Sequence, residues 1–313
     1  MARDDYSGPE GLELRDMDTP APRQGEVLVR VRAAGVDQGA WHVLTGLPYA
    51  GRLAFGLRRP RAKVVGMDVA GVVEAVGAGV TALRPGDEVF GICRGAFAEY
   101  ACGKAKTLLA KPENLTFEQA AAVPVSACTA LTALRGVVAG QRVLVIGAGG
   151  GVGSYAVQLA TASGADVTGV CSTSKVDFVR SLGAVAAIDY TKEPLTGQYN
   201  MLLDIAGNRP ISVLRALVTP HGTLVAVGGE SGGRWLAGLE RNLAMQVRNP
   251  FTRQKLRAPI SIVRPADLAE LSALLADGKI TPAVDRTYAL GDLPAAITDL
   301  RDRRVRGKIV VVP

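Results

Sequence analysis

Glycine occupies positions 147, 149, 150, 151 and 153 within the apolar stretch "VLVIGAGGGVGSYAVQLA". Glycines so spaced turn a chain sharply, let its backbone approach a phosphate, and let a helix pack close to a strand. The apolar strand "RVLVIG" enters the loop, and a helix opens near Gly151. The unpaired N–H groups and positive dipole end of such a helix favour an anion. A literal G-x-G-x-x-G does not fit, because counting from Gly147 ends on Val152 and counting from Gly149 ends on Ser154. Two looser registers do fit: A-x-G-x-x-G through Ala148, Gly150 and Gly153, and G-x-x-G-x-x-G through Gly147, Gly150 and Gly153. Gly147, Gly150, Gly151, Val152 and Gly153 are thus the expected cradle of a dinucleotide pyrophosphate. The plainer reading is a turn that only packs a helix on a sheet.

The second strand of this pattern ends in "VCSTSKVD". A site for NAD places an acid near here to bind the ribose diol. None occurs before Asp177, and Ser172, Thr173, Ser174 and Lys175 fill the region. Hydroxyls and a lysine suit a 2′-phosphate, and one charge-assisted contact from Lys175 is worth roughly 1.5–3 kcal/mol. NADPH is therefore expected over NADH. Ser172 to Ser174 equally serve as a cap for the next helix, and the two roles are compatible.

Other chemistries find little support. Cys93, Cys102, Cys128 and Cys171 are scattered with no C-x-x-C pair, and the two histidines, His42 and His221, form no metal-binding pattern. No metal site is expected. The net charge of +7 is concentrated late, in "VRNPFTRQKLR" and "RDRRVRGK". Without a nucleic-acid-binding motif these read as solvated surface, and a nucleic-acid partner is not favoured. The polar start "MARDDYSG" resembles no secretory signal, and no apolar run reaches membrane-spanning length. A cytoplasmic protein with no membrane partner is expected.

The elements that must position these residues come in two styles. The first third is β-rich: "EVLVRVRAAGV" puts Val27, Val29 and Val31 on one face and Arg30 and Arg32 on the other, and "VAGVVEAVG", "PGDEVFG" and "GAFAEYAC" follow between turns. From Thr116 the rhythm changes. "TFEQAAAVPVSACTALTALRGVV" reads as two helical pieces broken before Pro124, with Thr116 and Gln119 as a capping box. Apolar strands then alternate with helices, the pattern of right-handed βαβ units around a parallel sheet. "PISIV" is a candidate further strand, "PADLAELSALLADGK" a helix with Leu268, Leu271, Leu274 and Leu275 on one face and Gly278 after its end, and "GKIVVVP" a last strand.

In order along nearly the whole chain, "EVLVRVRAAGV", "GMDVAGVVEAVG", "RPGDEVFG", "GAFAEYA", "AAAVPVSACTALTAL", "GGVGSYAVQLA", "VCSTSKVDFVRSLGA", "IDY", "LLDIAGN", "GTLVAVGG" and "RGKIVVV" resemble the zinc-free quinone oxidoreductase (zeta-crystallin-like) branch of the medium-chain dehydrogenase/reductases. The resemblance implies an α/β protein: a GroES-like β-rich catalytic domain, 1–115 completed by 265–313, and a Rossmann doubly wound parallel sheet over 116–264. It implies hydride transfer from NADPH to a quinone or to the β-carbon of an enone or enal. It also implies a homodimer joined through Rossmann edge strands, for which "PISIV" is the matching segment. Family members begin with a full strand before "DYSGPEGLELR", so the first strand is expected to be short or missing.

Zinc-dependent relatives carry a Cys after the "AAG" strand and a His-Glu pair after the next glycine. Here those places read Val36-Asp37 and Met67-Asp68, so a zinc-independent reaction on an already electrophilic acceptor is implied. The nicotinamide-proximal positions of the family match Asp37, His42 and Thr129. Asp37 is either a protonated donor to an enolate oxygen or a structural acid in the "VDQG" turn. His42 either donates a proton or lines the pocket. Trp41 and Tyr49 are candidate pocket walls, with Tyr49 a further proton source in the loop "GLPYAG". Thr129 either touches the cofactor or only packs its helix. Tyr190 matches a residue flanking the 2′-phosphate or adenine, Asn208 and Gly228 lie at later strand ends, and Lys308 is implied near the cofactor. Two further readings remain: a same-fold enzyme of biosynthesis without redox turnover, and an NADPH- or RNA-binding protein.

Overall fold

The computed structural model describes residues 1–228, 233, 235, 239–249, 252–260 and 262–313. In chain order its strands are β1 (Glu26–Val36), β2 (Asp68–Val76), β3 (Glu88–Ile92), β4 (Tyr100–Lys104), β5 (Leu108–Ala110), β6 (Arg142–Ile146), β7 (Asp166–Cys171), β8 (Ala186–Asp189), β9 (Tyr199–Asp204), β10 (Val218–Ala226), β11 (Lys255–Arg257), β12 (Val284–Ala289) and β13 (Lys308–Val312). The α-helices are α1 (Gln38–Thr45), α2 (Arg52–Phe55), α3 (Phe117–Ala121), α4 (Pro124–Leu134), α5 (Gly151–Ala162), α6 (Val176–Ser181), α7 (Ile211–Ala216), α8 (Leu239–Arg248), α9 (Pro265–Ala276) and α10 (Leu293–Arg301). The chain divides into two compact units, Met1–Cys128 with Ile262–Pro313, and Thr129–Ser261.

The first unit is built on a mostly antiparallel sheet of order β12-β13-β1-β2-β3-β5, with β4 also on β1. The alternation in β1 is realised: Val27, Val29 and Val31 are buried while Arg30 and Arg32 are exposed. These valines join Leu44, Val69, Phe97, Leu293 and Ile309 in one apolar core. Three strand starts and ends converge, because Gly35 lies opposite Asp68, and Val36 opposite Ile309, the residue after Lys308. No strand forms before β1; Ala2 makes single antiparallel bridges to Glu13 and Val64.

The capping box forms as expected. Gln119 N–H donates to Thr116 Oγ1 at 3.2 Å, and Thr116 N–H donates to Gln119 Oε1 at 3.0 Å. α3 then ends, and Pro124 opens α4, a position where its missing N–H costs nothing. On α9, Leu268, Leu271 and Leu275 are fully buried, and Gly278 follows with φ +68°.

The second unit holds a sheet of order β11-β10-β9-β6-β7-β8 with every pairing parallel. Counted within the unit this is 3-2-1-4-5-6, the Rossmann order, whose direction reverses between β6 and β9. Val143 to Ile146 and Leu202 to Asp204 are sealed from solvent, as expected of central strands covered on both faces. The sixth strand is Lys255–Arg257 rather than the segment 259–263. The described residues of that segment carry no strand, and Ser261 lies outside them. Leu256 pairs with Leu224 and is 4% exposed, so burial of one leucine in register with β10 selects the more polar segment.

Candidate functional site

In the Rossmann unit the glycine loop joins β6 to α5 at the switch point. Gly147 has φ +88°, a conformation that a side chain disfavours. A Cβ on Gly153 would lie 2.1 Å from the Gly147 carbonyl oxygen and 2.8 Å from Ala148 Cα, so this third glycine is required for the close packing of helix on loop. Gly150 is the N-cap residue of α5 and offers no side chain to the helix end. Gly151, Val152 and Gly153 form the first turn, with Gly153 buried. The loop is therefore a cradle that Cβ atoms would fill, above a helix N-terminus without a side-chain cap. Those are the requirements for a pyrophosphate.

Strand β7 ends beside this loop. Gly147 and Ala148 both donate backbone hydrogen bonds to Val170 O at 3.1 Å. Ser172 precedes a short 3-10 turn, Thr173–Lys175, and makes no side-chain cap bond, so the capping alternative is not used. The stem of Lys175 lies over the loop: a Cβ on Gly149 would be 2.8 Å from its Cδ. Tyr190 is 50% exposed at the end of β8, with the Arg209 guanidinium 5.8 Å from its ring centroid. Arg209 in turn donates to Asn208 Oδ1 at 3.2 Å. A cation, an aromatic face and hydroxyls thus stand at the second and third strand ends, a setting for a phosphorylated nucleoside.

Two acids of this unit escaped the sequence reading. Asp189 accepts hydrogen bonds from the hydroxyls of Thr173, at 2.5 Å, and Thr191, at 2.7 Å, which pull its carboxyl down to about 2. It thereby ties the turn after β7 to the end of β8. Asp204, fully buried at the end of β9, accepts from Gly207 N–H at 3.1 Å and is paired with Arg241. Arg241 also reaches the Gly228 carbonyl at 3.5 Å. Both acids lie in the quoted "IDY" and "LLDIAG", but only the fold shows what they hold.

In the first unit, Asp37 caps α1, its Oδ1 accepting from Ala40 N–H at 2.9 Å. That is the structural alternative named above, and it occupies one carboxylate oxygen. His42 stands one turn later, with Nδ1 2.9 Å from the Leu47 carbonyl. A carbonyl only accepts, so this contact places the proton on Nδ1 and leaves Nε2 for chemistry. Trp41 packs against the apolar core, and the Arg301 guanidinium lies 5.9 Å from its ring, which makes it a core-edge residue. Tyr49 shares the Arg52 guanidinium, 4.8 Å from its ring. Thr129, where the second unit begins, is 8% exposed on α4.

Lys308 is not a surface group. It is 2% exposed, donates to Ser126 Oγ at 3.2 Å, and lies 3.5 Å from Asp68 Oδ2. Asp68 is fully buried and also accepts from Val125 N–H at 3.0 Å. Burial pushes its carboxyl up to about 8, against the opposing pull of Lys308 and with a further push from Asp37. Asp37 is spent on a helix cap, and Asp68 faces the Lys308 ammonium. Among the described residues, no group of three His, Cys, Asp or Glu side chains is placed to hold a metal ion. All four cysteines are buried and their thiols are raised by burial, with Cys128 at about 12, so none is a ready nucleophile.

Comparisons with known proteins cover both units. Residues 23–113 match the family described as alcohol dehydrogenase GroES-like domain, and residues 182–311 match the one described as zinc-binding dehydrogenase. The quinone oxidoreductase of Pseudomonas aeruginosa is 32% identical over 98% of this chain and 97% of its own length. A chloroplastic NADPH-dependent alkenal/one oxidoreductase of Arabidopsis thaliana is 30% identical over 99% of this chain and 78% of its own. The crystal structure of Escherichia coli quinone oxidoreductase complexed with NADPH is similar with a TM-score of 0.85 at 25% identity, covering 100% of this chain and 99% of that one.

Proposed function

Because the chain belongs to the quinone oxidoreductase branch of the medium-chain dehydrogenase/reductases, we propose that it is an NADPH-dependent reductase of quinones and α,β-unsaturated carbonyl compounds. NADPH, when bound, supplies the hydride. The observation that supports this most is the position of Lys175, whose stem lies over Gly149 of the glycine-rich cradle. One loop thus receives the pyrophosphate while a cation stands at the adjacent strand end for the 2′-phosphate. Asn208 and Gly228 flank the same strand edge, and Tyr190 offers its face to the adenine.

The chain's own part in the reaction is placement and proton supply. Aligning donor and acceptor removes entropy from the encounter. For an enone, one proton must also reach the product, and His42 is the group that the local geometry favours for this. Its ring is fixed through Nδ1–H on Leu47, so Nε2 delivers a proton from the imidazolium form, in which both nitrogens are donors. Tyr49 is the second candidate. We place Asp37 as the cap that orients α1, and with it His42.

Zinc independence belongs to the same proposal, and the Lys308 ammonium 3.5 Å from Asp68 supports it, since a second cation there would be repelled. So do a cytoplasmic location and a homodimer joined through the Rossmann sheet edge at β11. The test is NADPH oxidation by chelator-treated protein with a panel of quinones and enones. Turnover with at least one acceptor, and a clear preference for NADPH over NADH, is expected. Tight NADPH binding without consumption across the panel would favour the non-redox readings.

A further inference from the structure

The chain from Arg52 to Lys63 exposes apolar and cationic side chains within one short segment of the first unit. Its base is fixed. The Arg52 guanidinium lies 4.4 Å from the Tyr6 ring centroid and 4.8 Å from that of Tyr49, and its Nε donates to Gly46 O at 3.0 Å. Tyr6 Oη donates to Gly56 O at 2.6 Å, and Arg61 N–H closes the turn on Phe55 O at 2.8 Å. A segment held this way does not fold its leucines inward. Leu53 is 71% exposed and Leu57 67%, while Phe55 between them is partly buried. Arg58, Arg59, Arg61 and Lys63 are exposed around them. The acids nearby are Asp5, 3.7 Å from Arg59, and Asp4, which Arg15 engages at 2.7 Å. Cations therefore outnumber acids around this segment, and large apolar side chains stand among them.

We propose that this segment is a docking surface for the face of an anionic lipid bilayer. Leu53 and Leu57 enter the boundary between headgroups and acyl chains, and Arg58, Arg59, Arg61 and Lys63 pair with lipid phosphates. Charge complementarity selects an anionic partner, and the two leucines select a bilayer over nucleic acid, which would satisfy the arginines and leave the leucines in water. The contact is superficial: no described helix is long and apolar enough to cross a membrane. The surface does not depend on the proposed reaction. It would acquire a use there, because a lipid-soluble quinone in such a bilayer lies close to Tyr49, whose ring packs on Arg52 at the base of the segment.

The test is co-sedimentation of the full chain with vesicles of phosphatidylglycerol mixed with phosphatidylcholine, against phosphatidylcholine alone. The variants are Leu53→Ser with Leu57→Ser, and Arg58→Ser with Arg59→Ser, each checked for native circular dichroism and NADPH binding. Binding to the anionic vesicles, weakened by salt and reduced on the order of tenfold by either pair of substitutions, is expected. No partition onto anionic vesicles would overturn the proposal. So would binding that the leucine substitutions leave unchanged, which indicates adsorption by charge alone, or binding to duplex DNA without binding to vesicles. Because NADPH oxidation is measured separately, failure here is distinguishable from failure of the proposed reaction.

Discussion

Lys308 Nζ lies 3.5 Å from Asp68 Oδ2 with both side chains sealed from solvent, and it is the hydrogen bond from Lys308 to Ser126 that fixes the ammonium. The pair joins the start of β2, the start of β13 and the first turn of α4. Among the described residues only the Lys308 ammonium, at 3.5 Å, approaches Asp68 Oδ2 as a partner, so the carboxylate is incompletely compensated. Its carboxyl is accordingly pushed up to about 8. Between an unfolded value of about 4 and that folded value, the native state holds a proton that the unfolded chain has lost. The resulting stabilisation is full below the window and is lost as pH rises through it. Urea unfolding at a series of pH values should show this decline, and Asp68→Asn should flatten it. An unchanged slope would show that Asp68 is already ionised when folded.

Measured above pH 8, where the folded Asp68 carboxylate is ionised, Lys308→Met removes the only cation paired with it among the described residues and should cost about 3 kcal/mol, the low end for a broken buried pair because the carboxyl can then take up a proton. Denaturant midpoints check this. A loss below about 1 kcal/mol would mean that the pair contributes little beyond a surface salt bridge.

Lys175→Ala should weaken NADPH binding by on the order of tenfold while changing NADH much less, since only the former carries the 2′-phosphate. Fluorescence titration with both nucleotides separates the outcomes. Equal loss for the two would remove Lys175 from the phosphate site.

Gly153→Ala introduces a methyl group 2.1 Å from the Gly147 carbonyl. The loop must move, at a cost of about 1–3 kcal/mol, and the cradle with it. Lower thermal stability and lost NADPH binding are expected together. A variant that binds NADPH normally would show that the close approach of helix to loop is dispensable.

His42→Ala should lower kcat with an enone by roughly a hundredfold while leaving the Kd for NADPH unchanged, as expected for loss of a proton donor. Steady-state kinetics and titration read the two quantities. An equal effect on NADPH binding would make His42 a packing residue.

The Rossmann unit was legible because its signals are local: apolar strands, a glycine loop and helices follow one another within short spans. The capping box at Thr116 and Gln119 formed for the same reason. What escaped depends on distant residues. α1 carries Gly39 and spans only eight residues, and its C-terminal carbonyls, Val43 O and Leu44 O, are satisfied by the buried Arg3. Nothing in "VDQGAWHVLTG" announces that partner. The contacts of Lys308 to Asp68 and Ser126 likewise join residues far apart in the chain, so nothing in "RGKIVVV" announces them. β11 was misplaced because "PISIV" has the more strand-like composition, while parallel register with β10 favours "KLR".

The proposed reaction is hydride transfer from NADPH to an electrophilic acceptor without zinc. The most direct measurement is the stoichiometry of NADPH lost to quinol formed, under anaerobic conditions, by protein freed of metal with a chelator. One quinol per NADPH, at a rate unchanged by added zinc, is predicted. NADPH retained in full with every quinone and enone offered, or turnover that appears only on adding zinc, would contradict it.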